Sequence, residues 1–313
     1  MENHFWTQRL LATYSLCRLH SHDYPTYYYI KPRISNAQRQ CLVLARDRMP
    51  RLPRRLRGVE RKMATFSIII CTLGRSKSYE ELKESLYKQT NQDYEIIKVT
   101  EEGPLAKIRN EGARKARGQY LCFVDDDVVC SPYWLEAVEC AFGRGYAGVT
   151  GPALITKEYR KNRDIFRYPT SWLSTKAPGY ISAWGMHSQA SAKEGCSYNG
   201  QVDYLEACNM AFEKKAFWSV NGFDESYGGV GEWSEPDLCF QLKALGKKFW
   251  FSRDAGMEHR PSQSGAYPKR LRTASRLENY NLFSKRWIKP SIRHSIYKWL
   301  IRNYFNLKER GLC

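Results

Sequence analysis

Residues Gly118–Val129 read GQYLCFVDDDVV: an apolar run of strand character, three successive carboxylates, then a second apolar pair. Adjacent Asp side chains repel one another unless a positive charge sits among them. Outward from this stretch the chain alternates between two periodicities. Upstream, TFSIIICT (65–72) and YEIIKVT (94–100) are short apolar runs consistent with buried strands. Between them SYEELKESLYKQT (78–90) places Leu82, Leu86 and Tyr87 at helical spacing, and PLAKIRNEGARKA (104–116) is a second helix. Downstream, Ser131 and Pro132 suit the N-cap and first position of a helix over PYWLEAVECAF (132–142), and AGVTGPALI (147–155) reads as a fourth strand.

Residues 156–200 lose this regularity in a Tyr/Trp/Gly/Ser-rich stretch that reads as extended loops and short strands. Order resumes with YLEACNMAFEKKAFWSVNGFDE (204–225); PDLCFQLKALG (236–246) is a helix ending at Gly246, and KKFWFSRDAGMEH (247–259) reads as a strand. This alternation predicts an α/β fold: a mainly parallel central sheet with helices on both faces. In open sheets of that kind ligands bind beyond the carboxyl ends of the strands, and the three Asp residues lie at such an end.

The 313 residues, 42% hydrophobic and 14% aromatic, are enough to bury a sizeable core. Ten cysteines, with no C-x-x-C pair and several inside apolar runs, read as free thiols of a reducing compartment. The net charge of +18 is concentrated at the ends. Residues 1–64 carry 13 Lys/Arg against 4 Asp/Glu and residues 266–313 carry 12 against 2, whereas 65–265 carry 25 against 26. The expected organisation is therefore a basic N-terminal extension (1–64), a catalytic domain (65–265, divided near 155/156) and a basic amphipathic C-terminal region (266–313). No stretch approaches the roughly 20 apolar residues that cross a bilayer, and the first residues lack the apolar centre of a secretory signal. The expected location is cytoplasmic, or peripheral on the inner face of a membrane.

Alternate residues of an extended segment point the same way, so Asp125 and Asp127 share a face able to accept one Mg²⁺ or Mn²⁺. Such ions keep positions for water and substrate phosphates, which implies a phosphate-bearing substrate. A calcium loop would need further oxygen ligands and a Gly at fixed offsets that this stretch lacks. In GEWSEPDLCFQLKALG (231–246), Ser234 and Asp237 have capping-box spacing, which sets Glu235 in the first turn beside Pro236. There the helix N-terminus favours a carboxylate anion, the form a general base needs; complementing the helix dipole fits the segment equally well. His259 in MEHRPSQSG is a further ligand only if the fold carries it to the Asp cluster.

Taken in order, FSIIICTLGRS, YEIIKVTEEG, AKIRNEGARKARGQYLCFVDDDVV, CNMAFEKKAFWSVNGFDE and GEWSEPDLCFQLKALG resemble a family 2 glycosyltransferase of the GT-A fold over roughly residues 65–262. The resemblance implies an inverting enzyme that uses a nucleotide-diphospho-sugar and Mg²⁺ or Mn²⁺. It further implies that Thr72, Arg75, Glu101, Arg109, Asp125 and Asp126 meet the nucleotide, and that Asp125, Asp127 and His259 hold the metal. Glu235 is then the base, with Asp237 as its competitor and Ser234 standing where the family has Glu. Asp126 is left to reach the ribose or hold a water.

The tail SIRHSIYKWLIRNYFNLKER (291–310) spaces Ile292, Ile296, Trp299/Leu300, Tyr304 and Leu307 as a helical stripe with Arg293, Lys298 and Arg302 largely off it. Such a helix lies on an anionic membrane or packs on the catalytic domain. The first reading suits a lipid-linked or cell-envelope glycan acceptor and a role in polysaccharide biosynthesis. Three other readings compete: a nucleotidyltransferase or phosphotransferase with an Asp-bound metal, a non-catalytic relative, and a nucleic-acid-binding protein. The last leaves the ordered acidic motifs unexplained, so no nucleic-acid partner is expected.

Overall fold

A computed structural model describes residues 65–73, 77–155, 178–188, 198–261 and 273–309. The N-terminal extension, Arg75 and most of the irregular 156–200 segment lie outside the described residues. Seven strands form the main sheet: β1 (Phe66–Cys71), β2 (Tyr94–Val99), β3 (Tyr120–Asp125), β5 (Gly148–Thr150), β7 (Gly200–Val202), β8 (Asn209–Glu213) and β9 (Phe249–Phe251). Their spatial order is β2-β1-β3-β8-β5-β9-β7. A smaller sheet, β4-β10-β6, is built from β4 (Val128–Cys130), β6 (Ala153–Leu154) and β10 (Met257–His259).

The main sheet is mixed. β1 is parallel to both β2 and β3, and β5 to β9, but β8 is antiparallel to β3 and β5, and β7 to β9. Five strands thus share a direction, and two run against it: β8, inserted at the centre, and β7 at the edge. The expected parallel character holds for the first three strands and gives way where the sequence repeat of strand and helix ends.

Helices α1 (Lys77–Tyr87), α2 (Leu105–Lys115), α3 (Trp134–Gly143), α4 (Lys214–Ser219), α5 (Ser234–Ala244), α6 (Thr273–Trp287) and α7 (Ile292–Glu309) cover both sheet faces. Alternation along the strands divides the core in two. Ile69, Phe123, Met210 and Phe212 face α2, α4, α5, α6 and α7. Ile68, Ile70, Cys122 and Val124 face α1 and α3. Continuous apolar strands such as FSIIIC follow from this double coverage. On the first side the rings of Phe123, Phe212, Phe217 and Phe223 contact one another at centroid separations of 5.4–6.5 Å.

Three strands of the large sheet hand over to three of the small one: β3 to β4 through Asp126 and Asp127, β5 to β6 through Gly151 and Pro152, and β9 to β10. AGVTGPALI and KKFWFSRDAGMEH each therefore hold two strands rather than the single strand expected. The breaks occur together because the two connections touch: a Cβ on Gly151 would lie 2.1 Å from the Ala255 carbonyl oxygen. Ser252 and Met257 donate backbone N–H bonds to Thr150 and Pro152 (both 2.8 Å).

Two helix starts differ from the reading above. α3 begins at Trp134, and its cap comes from the segment just after α1: Gln89 donates to the Ser131 carbonyl (2.7 Å) and accepts from the Leu135 N–H (3.2 Å). α5 begins at Ser234 after Trp233, whose φ of 74° turns the chain, and the capping box does not form. The Asp237 carboxylate turns instead to α6, accepting from Trp287 Nε1 at 2.7 Å.

Candidate active site

The site grows from the end of β3. Cys71 and Asp125 are register partners, so the last residues of two adjacent parallel strands stand side by side. Asp126 and Asp127 then form the turn into β4. Asp127 is therefore not in extended backbone, and it converges with Asp125 through the turn rather than through strand alternation. β10 pairs with β4 so that His259 faces Val128, and the Arg260 N–H donates to the Asp127 carbonyl at 2.7 Å.

This register carries His259 to the Asp cluster, with Nε2 at 3.2 Å from Asp127 Oδ1. One ligand atom from each of Asp125, Asp127 and His259 can be chosen so that all lie within 4.8 Å of one another. Burial works against an imidazolium at His259, but the hydrogen bond and charge of Asp127 prevail and raise its pKa. Two carboxylate oxygens and an imidazole nitrogen, each partly accessible, are a donor set that fits Mg²⁺ or Mn²⁺.

Asp126 is tied to the neighbouring strand. Its Oδ2 accepts a short hydrogen bond from Thr72 Oγ1, tying the turn to the end of β1. Burial pushes its pKa up to about 6 against the Thr72 bond, with Asp127 and Asp125 adding to the rise. Burial likewise pushes the Cys71 thiol up to about 12. Glu101 stands exposed past β2 and pairs with Lys115 Nζ at 3.2 Å.

Arg109 enters from α2 and is 3% exposed. Its Nη1 donates to Glu235 Oε1 at 2.5 Å, while Nη2 donates to the Ala207 carbonyl at 3.2 Å and lies 3.6 Å from Asp125 Oδ1. Burial disfavours a charged guanidinium, yet Glu235 and Asp125 outweigh that cost and hold the proton more firmly than on an ordinary arginine. One cation therefore joins the Asp cluster to Glu235 in the first turn of α5. The neighbouring residue, Asn110, holds the loop after α4: it accepts from the Phe223 N–H and donates to the Phe223 carbonyl. Gly222, at φ 74°, leaves room for that contact, since a Cβ there would sit 2.6 Å from Asn110 Oδ1.

Asp237 has no exposed surface and accepts from Gln241, Trp287 and Arg286. Arg286 also binds Asp224 at 2.5 Å, and Arg276 is bonded to Glu232. Sequence reasoning did not single out Trp287, Arg286 or Arg276. Their partners lie 44 to 62 residues away and leave no local signal.

This architecture, a mixed central sheet with helices on both faces, matches the GT-A fold of the glycosyltransferases. Residues 98–219 match the family described as Glycosyl transferase family 2. The crystal structure of GalNAc-T7 with UDP, GalNAc and Mn²⁺ superposes with a TM-score of 0.50 at 12% identity, over 81% of this chain and 57% of that one. The chain thus spans little more than half of GalNAc-T7. The mannosyltransferase PcManGT from Pyrobaculum calidifontis, in complex with GDP-Man and Mn²⁺, gives a TM-score of 0.44 at 14% identity over 80% of this chain and 72% of that one. No curated protein sequence matches the chain.

Proposed function

We propose that the protein is a metal-dependent inverting glycosyltransferase that moves a sugar from a nucleotide-diphospho-sugar to an acceptor hydroxyl. The observation that carries this reading is the Arg109 bridge between Glu235 and Asp125, which sets one acid beside, and apart from, a metal-ligand cluster. Support for the donor class comes from GalNAc-T7, whose structure holds UDP, GalNAc and Mn²⁺.

Asp125, Asp127 and His259 would hold Mg²⁺ or Mn²⁺, which when bound supplies charge neutralisation to the departing diphosphate. Thr72, Arg75, Glu101 and Asp126 receive the nucleotide, with Thr72 fixing the Asp126 carboxylate. Arg109 acts from beneath: its guanidinium holds Glu235 Oε1 and orients the second oxygen. Glu235 Oε2 takes the proton of the acceptor hydroxyl as that oxygen attacks the anomeric carbon from the face opposite the leaving group. Asp237 is not used in this way, because its oxygens are engaged by α5 and α6 with no exposed surface.

The acceptor in this reading is a cell-envelope or lipid-linked glycan presented at the inner face of an anionic membrane. The concentration of basic residues at the two ends of the chain supports it. A panel of nucleotide-sugars assayed for transfer and hydrolysis, with and without EDTA, tests the reaction class. Metal-dependent sugar release from one donor is expected; metal-independent turnover, or nucleotidyl transfer in its place, contradicts the proposal.

A further inference from the structure

The C-terminal helix has two apolar faces, and the protein uses only one. Tyr297 and Ile301 are buried and Tyr304 packs partly into the same core, with the Tyr297 ring against Trp184 and Tyr280. Tyr304, expected on the outer stripe, therefore belongs to the packed face. On the other side stand Ile292 (82% exposed), Trp299 (63%), Ile296, Leu307 and Leu300. At about 100° per residue these five fall within an arc of about 100°. They are half of the ten large hydrophobic side chains exposed among the described residues, all on one helix. The helix is anchored at its start, where Ser291 accepts from the His294 and Ser295 N–H groups through its hydroxyl and carbonyl.

The charges beside this face have one sign. From Lys285 to Leu307 the chain carries six Lys/Arg and no Asp/Glu. Lys289, Arg293 and Arg302 are exposed alongside the apolar side chains. Arg286 is paired with Asp224 and Asp237, but a second copy docked here would still set the other five cations against five, and the segment 1–64, with its own excess of nine positive charges, is equally ill matched. Duplex nucleic acid would satisfy the charge but leave an indole and four aliphatic side chains uncovered. We infer that this face of α7, Ile292-Ile296-Trp299-Leu300-Leu307 with its basic margins, docks on an anionic phospholipid leaflet, apolar side chains inserted at the headgroup boundary and the basic ones at the phosphates.

The inference deepens the membrane-facing acceptor reading above, yet its test needs no sugar. The full chain is floated with phosphatidylcholine vesicles and with vesicles containing an equal part of phosphatidylglycerol. Binding to the anionic vesicles is expected, weakened by salt. Arg293→Ser/Arg302→Ser should weaken it about tenfold or more. Ile296→Asp/Trp299→Asp should abolish it while circular dichroism and melting stay unchanged, because neither side chain belongs to the packed face. Three results overturn the inference: no binding of the full chain to anionic vesicles, binding that survives Ile296→Asp/Trp299→Asp, or a solution dimer that this double variant dissolves. Retained vesicle binding in a protein that transfers no sugar would refute the transferase reading alone.

Discussion

Arg109 and Glu235 form a buried ion pair, Nη1 to Oε1 at 2.5 Å, between residues 126 positions apart in the chain. Both side chains are below one-tenth exposed, so neither charge is left to solvent. Removing one member of such a pair strands the other. Arg109→Leu should therefore destabilise the fold by about 3–5 kcal/mol, read as a lower urea midpoint. Arg109→Lys should fold but lose most turnover, since one ammonium cannot replace a fork that reaches Glu235, the Ala207 carbonyl and Asp125.

Asp237 separates a structural acid from a reacting one. Asp237→Asn keeps the shape but weakens the bonds from Trp287 Nε1 and Arg286, so a loss of about 1–3 kcal/mol in urea unfolding is expected. Under conditions where the variant is fully folded, its turnover should stay within a few-fold of wild type. A large loss of turnover at full stability would make Asp237 the base.

The metal cluster gives a readout independent of sugar. Mn²⁺ at about one hundred times its dissociation constant should stabilise the protein by about 2.7 kcal/mol, seen as a higher melting temperature. Asp127→Asn and His259→Ala should each remove that gain, because each takes one donor from the three.

His187 sets an acid limit. Its ring packs on Trp233 at 4.7 Å, and burial followed by the charge of Arg276 lowers its pKa to about 4. The unfolded chain binds this proton from about pH 6.5 downward, whereas the folded chain binds it only near 4. Its contribution is therefore complete above pH 6.5 and is lost toward pH 4, by up to about 3 kcal/mol. Urea midpoints measured from pH 7 to 4 should fall more steeply for wild type than for His187→Phe.

The parts legible in the sequence were those written locally. Strands β1 to β3, helices α1 and α2 and the Asp turn announce themselves through periodicity and through three charges between apolar residues. The neighbours of those charges were less visible. That His259 meets Asp127 depends on the pairing of β10 with β4, and the local sequence of β10 carries no trace of it. The capping box at Ser234 was a sound local signal that a longer-range one defeated, because the Trp287 indole holds Asp237 away from the helix start. Gln89 displaced Ser131 as the α3 cap for the same reason, a side chain 46 residues away supplying the acceptor. The reversed strand β8 followed a segment without periodicity, where strand direction leaves no mark on composition.

The central claim is that Glu235 takes the acceptor's proton. Glu235→Gln keeps an oxygen for Arg109 while removing the basic one, so the variant should fold and still gain stability from Mn²⁺. Its rate of sugar transfer, compared with wild type at saturating donor, is the most direct test. A fall of about 10²–10⁴ in kcat is expected; transfer by Glu235→Gln at the wild-type rate would contradict the account.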